Sequence, residues 1–199
     1  MKTTIFALLG LLTCGTVVAD GDPAAGKSKT LICSGCHERD GNSKNPIYPI
    51  LAGQGQGYLS KQLTDVKTGA RKEEHMTPIV EAVNIDDIKH IAAYFSNQAR
   101  TPGAAPAPAS DSGKQLFQTG KRGGSVSACA GCHGADGKGN TALNYPALAG
   151  QHAVYVAKML KEFRSAARSN DQQAVMRGIA KDLGDQDIEA LAAYIAAMR

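Results

Sequence analysis

Two copies of one pentapeptide carry the residues of this chain that are best suited to chemistry. Residues 33–37 read Cys-Ser-Gly-Cys-His, and residues 129–133 read Cys-Ala-Gly-Cys-His. Cysteines three positions apart, followed directly by histidine, are typical of the attachment site of c-type haem. The two thiols can add to the two vinyl groups of one porphyrin, and the histidine then lies under the iron. The pattern predicts covalent haem at two cysteine pairs with two axial histidines, namely Cys33, Cys36, Cys129, Cys132, His37 and His133.

Three other uses of paired cysteines fit the sequence less well. A structural zinc site needs four ligands, and each half of the chain lacks a second cysteine pair. A thioredoxin-like redox site would follow a strand, whereas a helix is predicted before the motif here. Disulfides are the usual alternative in an exported protein, but a C-x-x-C-H pentapeptide that occurs twice favours haem.

The second axial ligand of each iron can come from few side chains. The candidates in the first half are Met76, His75 and His90. Those in the second half are Met176, Met159, Met198 and His152. The two halves of the chain repeat one another in sequence, and only Met76 and Met176 occupy equivalent positions of this internal repeat. We therefore predict that these two methionines are ligands. His75 remains the rival in the first half because it adjoins Met76. Met159 is expected to pack within an amphipathic helix, and His90 is expected to be solvated on another helix.

The mature chain is an internal duplication. The sequence YPILAGQ at 48–54 recurs as YPALAGQ at 145–151, and IAAY at 91–94 recurs as LAAY at 191–194. Because a repeat at this spacing covers the whole mature chain, the sequence predicts two similar domains. The Pro/Ala-rich segment 101–109 reads as a semi-rigid linker. We therefore predict one domain at 20–100 and a second at 110–199.

Both halves are predicted to be all-α. Asp22 followed by Pro23 is a helix-start signal, and Asp111 or Ser112 begins the matching helix. Apolar residues at helical spacing predict helices over 58–68 and 154–163, and acidic residues begin a last helix in each half, at Asp86 or Asp87 and at Asp185 or Asp187. The long loops between these helices are unusual in a compact domain, and they are explained if the loops surround a large flat cofactor.

The ends and charges of the chain limit its location and partners. Residues 1–19 have a basic start, an apolar run and a small-residue end at Ala19, which predicts a cleaved signal peptide that includes Cys14. The run is shorter than a membrane-spanning helix. Residues 20–100 carry equal numbers of acidic and basic side chains, whereas 101–199 carry eleven Lys or Arg against eight Asp or Glu. This excess is too small and scattered for a nucleic-acid-binding protein.

Three features of this sequence together resemble the cytochrome c4 family of bacterial dihaem cytochromes. They are the two C-x-x-C-H motifs, the paired YPxLAGQ segments and the Met-containing loops before a final helix. The resemblance covers the entire mature chain, and it implies two tandem class I cytochrome c domains, packed about a pseudo-twofold relation in the periplasm. It implies two covalently bound haem c groups and electron transfer toward a terminal oxidase. It also implies that the carbonyls of Pro49 and Pro146 orient the ligating histidines. Met76 precedes Thr-Pro, but Met176 precedes Arg177-Gly178, so the two loops should differ in rigidity and charge.

The expected function is that of an electron carrier and not an enzyme. Thioether ligation stabilises ferrous iron, and six-coordinate iron leaves no open position for a substrate. A dihaem cytochrome c peroxidase would need one open haem, and equivalent methionines in both halves argue against it. A cytochrome subunit of a dehydrogenase complex remains an alternative. Expected partners are redox proteins, such as a membrane-bound terminal oxidase or reductase, and peripheral association with the membrane is left open.

Overall fold

The computed structural model describes residues 21–103, 109 and 111–199. The predicted signal peptide, together with part of the linker, therefore lies outside the described residues. Helices account for the regular structure of the described part, apart from one isolated bridge between Asn140 and Tyr145. No helix among the described residues is long and apolar enough to cross a membrane. The all-α prediction is confirmed.

Each half contains the same order of helices. The helices of the first half are α1 (Pro23–Lys29), α2 (Ser34–His37), α3 (Gln56–Lys67), α4 (Thr77–Glu81) and α5 (Ile88–Ser96). Those of the second half are α6 (Asp111–Thr119), α7 (Ala130–His133), α8 (Ala153–Arg164), α9 (Val175–Ala180) and α10 (Asp185–Ala197). Short 3₁₀ turns precede α5 and α9, at Ile85–Asp87 and Gln172–Ala174.

Local capping explains where the long helices begin. The Asp22 carboxylate accepts a hydrogen bond from the Ala24 amide at 2.8 Å, and Pro23 occupies the first helical position, as the sequence predicts. The last helix of the first half has Asp87 at its N-cap position, as the sequence predicts, although the Asp87 side chain makes no capping hydrogen bond. Asn84 instead caps the 3₁₀ turn that precedes this helix, by accepting a hydrogen bond from the amide of Asp86 at 3.0 Å.

The first and last helices of each half cross at a glycine. A Cβ atom on Gly26 of α1 would overlap the carbonyl oxygen of His90 in α5, and one on Gly113 of α6 would overlap the carbonyl oxygen of Ala190 in α10. The missing side chain therefore lets the two backbones approach closely. The crossing brings α5 or α10 over an apolar core that includes Phe95 in the first half and Ile188 in the second.

Four short helices were not predicted. Helices α2 and α7 contain the C-x-x-C-H histidines, whereas α4 and α9 follow or include the methionines that the sequence places in loops. Met76 is the N-cap of α4, whose start carries Thr77 and Pro78, a proline placement that suits a first turn. Met176 lies within α9. Helices of four to six residues leave too few periods for a pattern to be recognised in sequence.

The two halves pack through reciprocal contacts. The side-chain amide of Gln54 bonds to both the amide and the carbonyl of Ala147, at 2.8 and 3.0 Å. Its repeat equivalent, Gln151, bonds in the same way to Ile50, at 2.9 and 3.0 Å. Ala147 and Ile50 are themselves equivalent in the repeat. An interface in which each partner presents the same patch is isologous, as in a twofold dimer, so the expected pseudo-twofold packing is present within one chain.

Candidate haem sites

One helical turn carries each C-x-x-C-H motif. Cys33 is the N-cap of α2, and its carbonyl accepts from the amide of His37 at 3.0 Å; Cys129 and His133 repeat this at 2.9 Å. The first cysteine of each motif lies against the apolar core of its half. The four thiols of the described residues are not joined in disulfides. Both thiols of each pair therefore lie on or beside one short helix, and neither is used in a disulfide.

The first thiol of each motif is not set up for thiolate chemistry. Burial, and after it the neighbouring Cys36 thiol, raises the pKa of Cys33 to about 11, and burial raises the pKa of Cys129 to about 11 as well. Reactive or disulfide-exchanging cysteines have lowered pKa values. No cluster of three or more His, Cys, Asp or Glu side chains suited to a metal ion occurs in the described residues. The raised pKa of Cys33 and of Cys129 is unlike that of a thioredoxin-like thiol.

A backbone carbonyl orients each motif histidine. His37 and His133 are 3% and 7% exposed, and the Nδ1 atom of each lies 2.9 Å from a proline carbonyl oxygen, that of Pro49 and that of Pro146. Because a carbonyl only accepts, Nδ1 must carry the proton, and Nε2 keeps its lone pair. This is the tautomer in which Nε2 can bind a metal. The hydrogen bonds expected from the resemblance are present in both halves.

Both motif histidines are also kept neutral, and the Nε2 atom of the histidine in the first half has no hydrogen-bond partner. Burial lowers the pKa of both imidazoles, although the proline carbonyls act in the opposite direction. The Nε2 atom of His37 is buried without a hydrogen-bond partner. A buried unpaired polar atom costs about 1–3 kcal/mol, and coordination to iron would remove that cost. The residues present therefore fit a haem.

The two methionines are half-buried at equivalent places after α3 and α8. Met176 packs against the apolar core of the second half, as Cys129 also does. His75, the rival of Met76, is exposed, and its ring lies 6.4 Å from that of Tyr48, whose ring is 6.0 Å from His37. The assignment of Met76 and Met176 as ligands stays a prediction.

Two of the remaining candidates take structural roles. His90 is not simply solvated, because its Nδ1 atom accepts from the Asp22 amide at 2.9 Å and so connects α5 to the start of α1. His152 is buried between the halves, where its Nε2 atom lies 2.9 Å from the carbonyl oxygen of Ser43. The position of His152 at the interface could not be predicted from the repeat, since its equivalent in the first half is Gly55.

The remaining two candidate methionines also pack. Met159 is 6% exposed, and its sulfur faces Arg71 and Arg168 of the two halves at 3.5 and 3.0 Å, so the expected packing role is correct. Met198 lies at the end of α10 and packs against the second core. Sequence reasoning missed the two arginines, although they are repeat equivalents 97 positions apart, as are Tyr58 and Tyr155.

Comparison with known proteins agrees with this arrangement. A sequence model of the cytochrome c family matches residues 110–199. A cytochrome c4 of Azotobacter vinelandii is 43% identical over 98% of this chain and 97% of its own length. The crystal structure of reduced recombinant cytochrome c4 from Pseudomonas stutzeri superposes with a TM-score of 0.86 at 43% identity, covering 90% of this chain and all of that one. A thiosulfate dehydrogenase electron acceptor of Stutzerimonas stutzeri is 32% identical over 98% of this chain and 96% of its own length.

The duplicated helical fold, with one C-x-x-C-H motif and one carbonyl-oriented histidine in each half, is that of a c-type cytochrome. The chain belongs to the cytochrome c4 family of electron-transfer cytochromes. Covalently bound haem c is therefore its cofactor.

Proposed function

We propose that the chain is a dihaem electron carrier of the periplasm, with one haem in each half. Cys33 and Cys36 would hold the first haem, and Cys129 and Cys132 the second. The observation that carries the proposal is the pair of equivalent histidines, each buried, neutral and fixed by a proline carbonyl with Nε2 free to bind iron. When bound, haem supplies a one-electron Fe(III)/Fe(II) couple.

The chain's own residues would supply the remaining ligands of each iron. His37 with Met76 would hold the first iron, and His133 with Met176 would hold the second, so that neither iron would be left open to a substrate. A soft thioether ligand favours the ferrous state and raises the reduction potential. Burial of the histidines keeps water and protons away from the ligating nitrogens. These features suit electron transfer between proteins and do not suit peroxidase chemistry.

The proposed partners are redox proteins. Electrons would pass toward a membrane-bound terminal oxidase or reductase. The relative described as a thiosulfate dehydrogenase electron acceptor favours a dehydrogenase as one source of electrons, either as a transient donor or as a stable complex. Co-purification separates these two cases, because a dedicated subunit would remain bound to its dehydrogenase.

Mass spectrometry of the denatured protein tests the haem content. The mature chain should carry the mass of two haems in addition to the polypeptide. The paired substitution Cys33→Ser with Cys36→Ser should remove one haem only, and Cys129→Ser with Cys132→Ser is its matched counterpart in the second half. A wild-type mass with one haem, or with two disulfides, would contradict the proposal. Recovery of the mature chain beginning at Asp20 from the periplasmic fraction tests the location.

A further inference from the structure

The loops that carry the two predicted methionine ligands differ in length. Arg71 and Arg168, near the start of these loops, are 97 positions apart in the repeat, whereas Met76 and Met176 are 100 positions apart. The loop of the second half is therefore longer by three residues. A longer connection between equivalent points has to take a different backbone path to place its methionine.

The longer loop holds two residues in a strained backbone conformation. Gln173 and Ala174 have φ angles of 53° and 56°, in the left-handed region that residues with a side chain rarely adopt, and then singly. They adjoin one another, and Met176 follows shortly after them. In the described segment 68–76 of the first half, the only positive φ angle is that of Gly69, for which this conformation has little steric cost. The strain therefore lies before the methionine of the second half and not before that of the first.

One side chain bridges the strained part of the second loop. The Asp171 carboxylate accepts hydrogen bonds from the Arg177 amide at 3.0 Å and from the Arg177 Nε atom at 2.7 Å. The carbonyl of Asp171 also accepts from the Ala174 amide at 3.2 Å. Strained conformations persist only where surrounding contacts hold them, and these contacts join the residues on the two sides of the strained pair.

The first loop is closed by hydrogen bonds without such strain. The carbonyl of Glu73 accepts from the amides of Met76 and Thr77, at 3.1 and 2.9 Å, and from the Thr77 hydroxyl at 2.8 Å. Pro78 then fixes the first turn of α4. Lys67 of α3 donates to two carbonyls at the end of α4, at 3.3 Å each. Opening of this loop would break these contacts and would relieve no left-handed strain.

The strained loop lies at the surface of the second half. Gln172, Gln173 and Val175 are exposed, and Val175 keeps 44% of its surface accessible although it is apolar. Met176 and Ile179 are the residues of this region that pack against the apolar core. An outward movement of the loop would thus withdraw the methionine while disturbing little other packing.

We propose that Met176 is a releasable ligand, so that the second haem offers a binding position to small uncharged molecules that donate a nitrogen lone pair. The inference rests on the proposed His/Met ligation of both haems. Release of Met176 lets Gln173 and Ala174 leave the left-handed region, so the strain favours release in the second half. In this exchange the bond from the Met176 sulfur to iron breaks and a bond from the ligand nitrogen forms, and no electron or proton is transferred.

Titration of the oxidised protein with neutral imidazole tests the proposal. Imidazole should remove the weak red-edge sulfur-to-iron absorption of the second haem at a lower concentration than that of the first, with each haem assigned by NMR. Gln173→Gly and Ala174→Gly should each raise the concentration needed at the second haem by about 3- to 10-fold, because glycine removes the steric cost of the closed loop but gains more freedom in the open one. Ala174→Asn should act in the same direction, since Asn tolerates the left-handed region.

Two further variants separate strain from other effects. Ala166 also has a positive φ, of 60°, but it lies just after α8, outside the segment that Asp171 and Arg177 bridge. Ala166→Gly is therefore the matched control, and it should leave the imidazole titration unchanged. Asp171→Ala removes the bridge and should lower the concentration needed at the second haem. The first haem should respond to none of these variants.

The outcomes distinguish this inference from the proposed function. If the oxidised wild-type protein shows no sulfur-to-iron absorption at the second haem, the proposed ligation fails and the inference fails with it. If both haems show the absorption but imidazole removes the two together, or that of the first haem first, the ligation stands and the releasable Met176 is wrong. Titrations of Gln173→Gly and Ala174→Gly that match that of Ala166→Gly would overturn the role of backbone strain.

Discussion

At His37 and His133, a single backbone hydrogen bond selects the chemistry of the ring. The proline carbonyl requires a proton on Nδ1, and burial keeps the imidazole neutral, so Nε2 is left as a ligand without any help from a charged residue. An acidic partner would instead raise the pKa and draw protons toward the site. A neutral partner thus suits a carrier whose ligand must not be protonated near neutral pH.

The first prediction concerns the methionine ligands. Met176→Ala should remove about half of the weak red-edge sulfur-to-iron absorption of the oxidised protein and lower the potential of the second haem only, because the thioether that favours ferrous iron is lost. Met76→Ala should do the same for the first haem. Absorption spectroscopy during a redox titration measures both effects.

Two variants serve as controls for that experiment. Met159→Leu changes a buried methionine of the interface, so the band should be retained. His75→Ala removes the exposed rival of Met76 and should also leave both haems unchanged. If His75→Ala perturbs the first haem while Met76→Ala does not, the ligand assignment in the first half is wrong.

At the scale of the helices, the close crossing of α1 with α5 and of α6 with α10 depends on glycine. Gly26→Ala should lower the free energy of unfolding by about 1–3 kcal/mol, because the new methyl group would meet the carbonyl oxygen of His90 and the helices would have to move apart. Gly113→Ala is the equivalent change in the second half. Denaturant unfolding of the haem-loaded protein measures the effect.

Gly178 supplies the control for the crossing. It lies inside α9, and nothing would meet a Cβ atom there within 4 Å. Gly178→Ala should therefore be neutral or should stabilise the protein by up to about 1 kcal/mol, since glycine is a poor helix former. Equal destabilisation by Gly26→Ala and Gly178→Ala would show that the close approach of α1 and α5 is not responsible.

The sequence predicts the long helices well because their signals are local. Asp22 and Pro23 form a cap whose geometry depends on three residues, and the apolar spacing of α3 and α8 spans several turns. The 3₁₀ turn that Asn84 caps was missed because three residues are too few to show a period in the sequence. Arg71 could not be told from a solvated loop arginine, because its burial appears only when the second half packs against the first. The duplication located the motifs, but it did not show which repeated residues face each other.

At the scale of the whole molecule, the two halves are held together by hydrogen bonds between side chains of one half and backbone groups of the other. Gln54 and Gln151 are 5% and 4% exposed, and each serves one amide and one carbonyl of the opposite half. Thr101 bonds to Asn42 of the first half, and Gly103 bonds to Gly150 of the second. The beginning of the predicted linker is therefore attached to both halves.

Removal of these amides should loosen the interface. Gln54→Ala or Gln151→Ala should each lower the free energy of unfolding by about 1–3 kcal/mol, because two buried backbone groups lose their partners. Gln186→Ala, at an exposed position of α10, should change it little. The double variant should let the halves unfold in separate transitions. If calorimetry still shows one transition and no loss of stability, these contacts do not hold the halves together.

The last prediction concerns the order of the two reduction potentials. The sequence places the excess of positive charge in the second half, which favours reduction of the haem in that half. It also suggests that Arg177, beside Met176, adds to this effect. The structure corrects the expected contribution of Arg177. Arg177 pairs with Asp171 at 2.7 Å. Partial burial acts to raise the pKa of Asp171, but hydrogen bonds from Arg177 outweigh it and lower that pKa. The Asp171 carboxylate is therefore ionised at neutral pH. The charge of Arg177 is therefore largely cancelled.

We expect the second haem to have the higher potential by a modest margin that shrinks as salt rises, since exposed charges are screened beyond about 8–10 Å. Two variants of the ion pair should act in opposite directions on the second haem. Arg177→Gln leaves an unpaired carboxylate and should lower its potential, whereas Asp171→Asn leaves an unpaired guanidinium and should raise it. The first haem serves as the internal control in both titrations, with each haem assigned by NMR. Shifts of the same sign in both variants, or equal shifts at the two haems, would show that burial of the haems, and not this charge pair, sets the order.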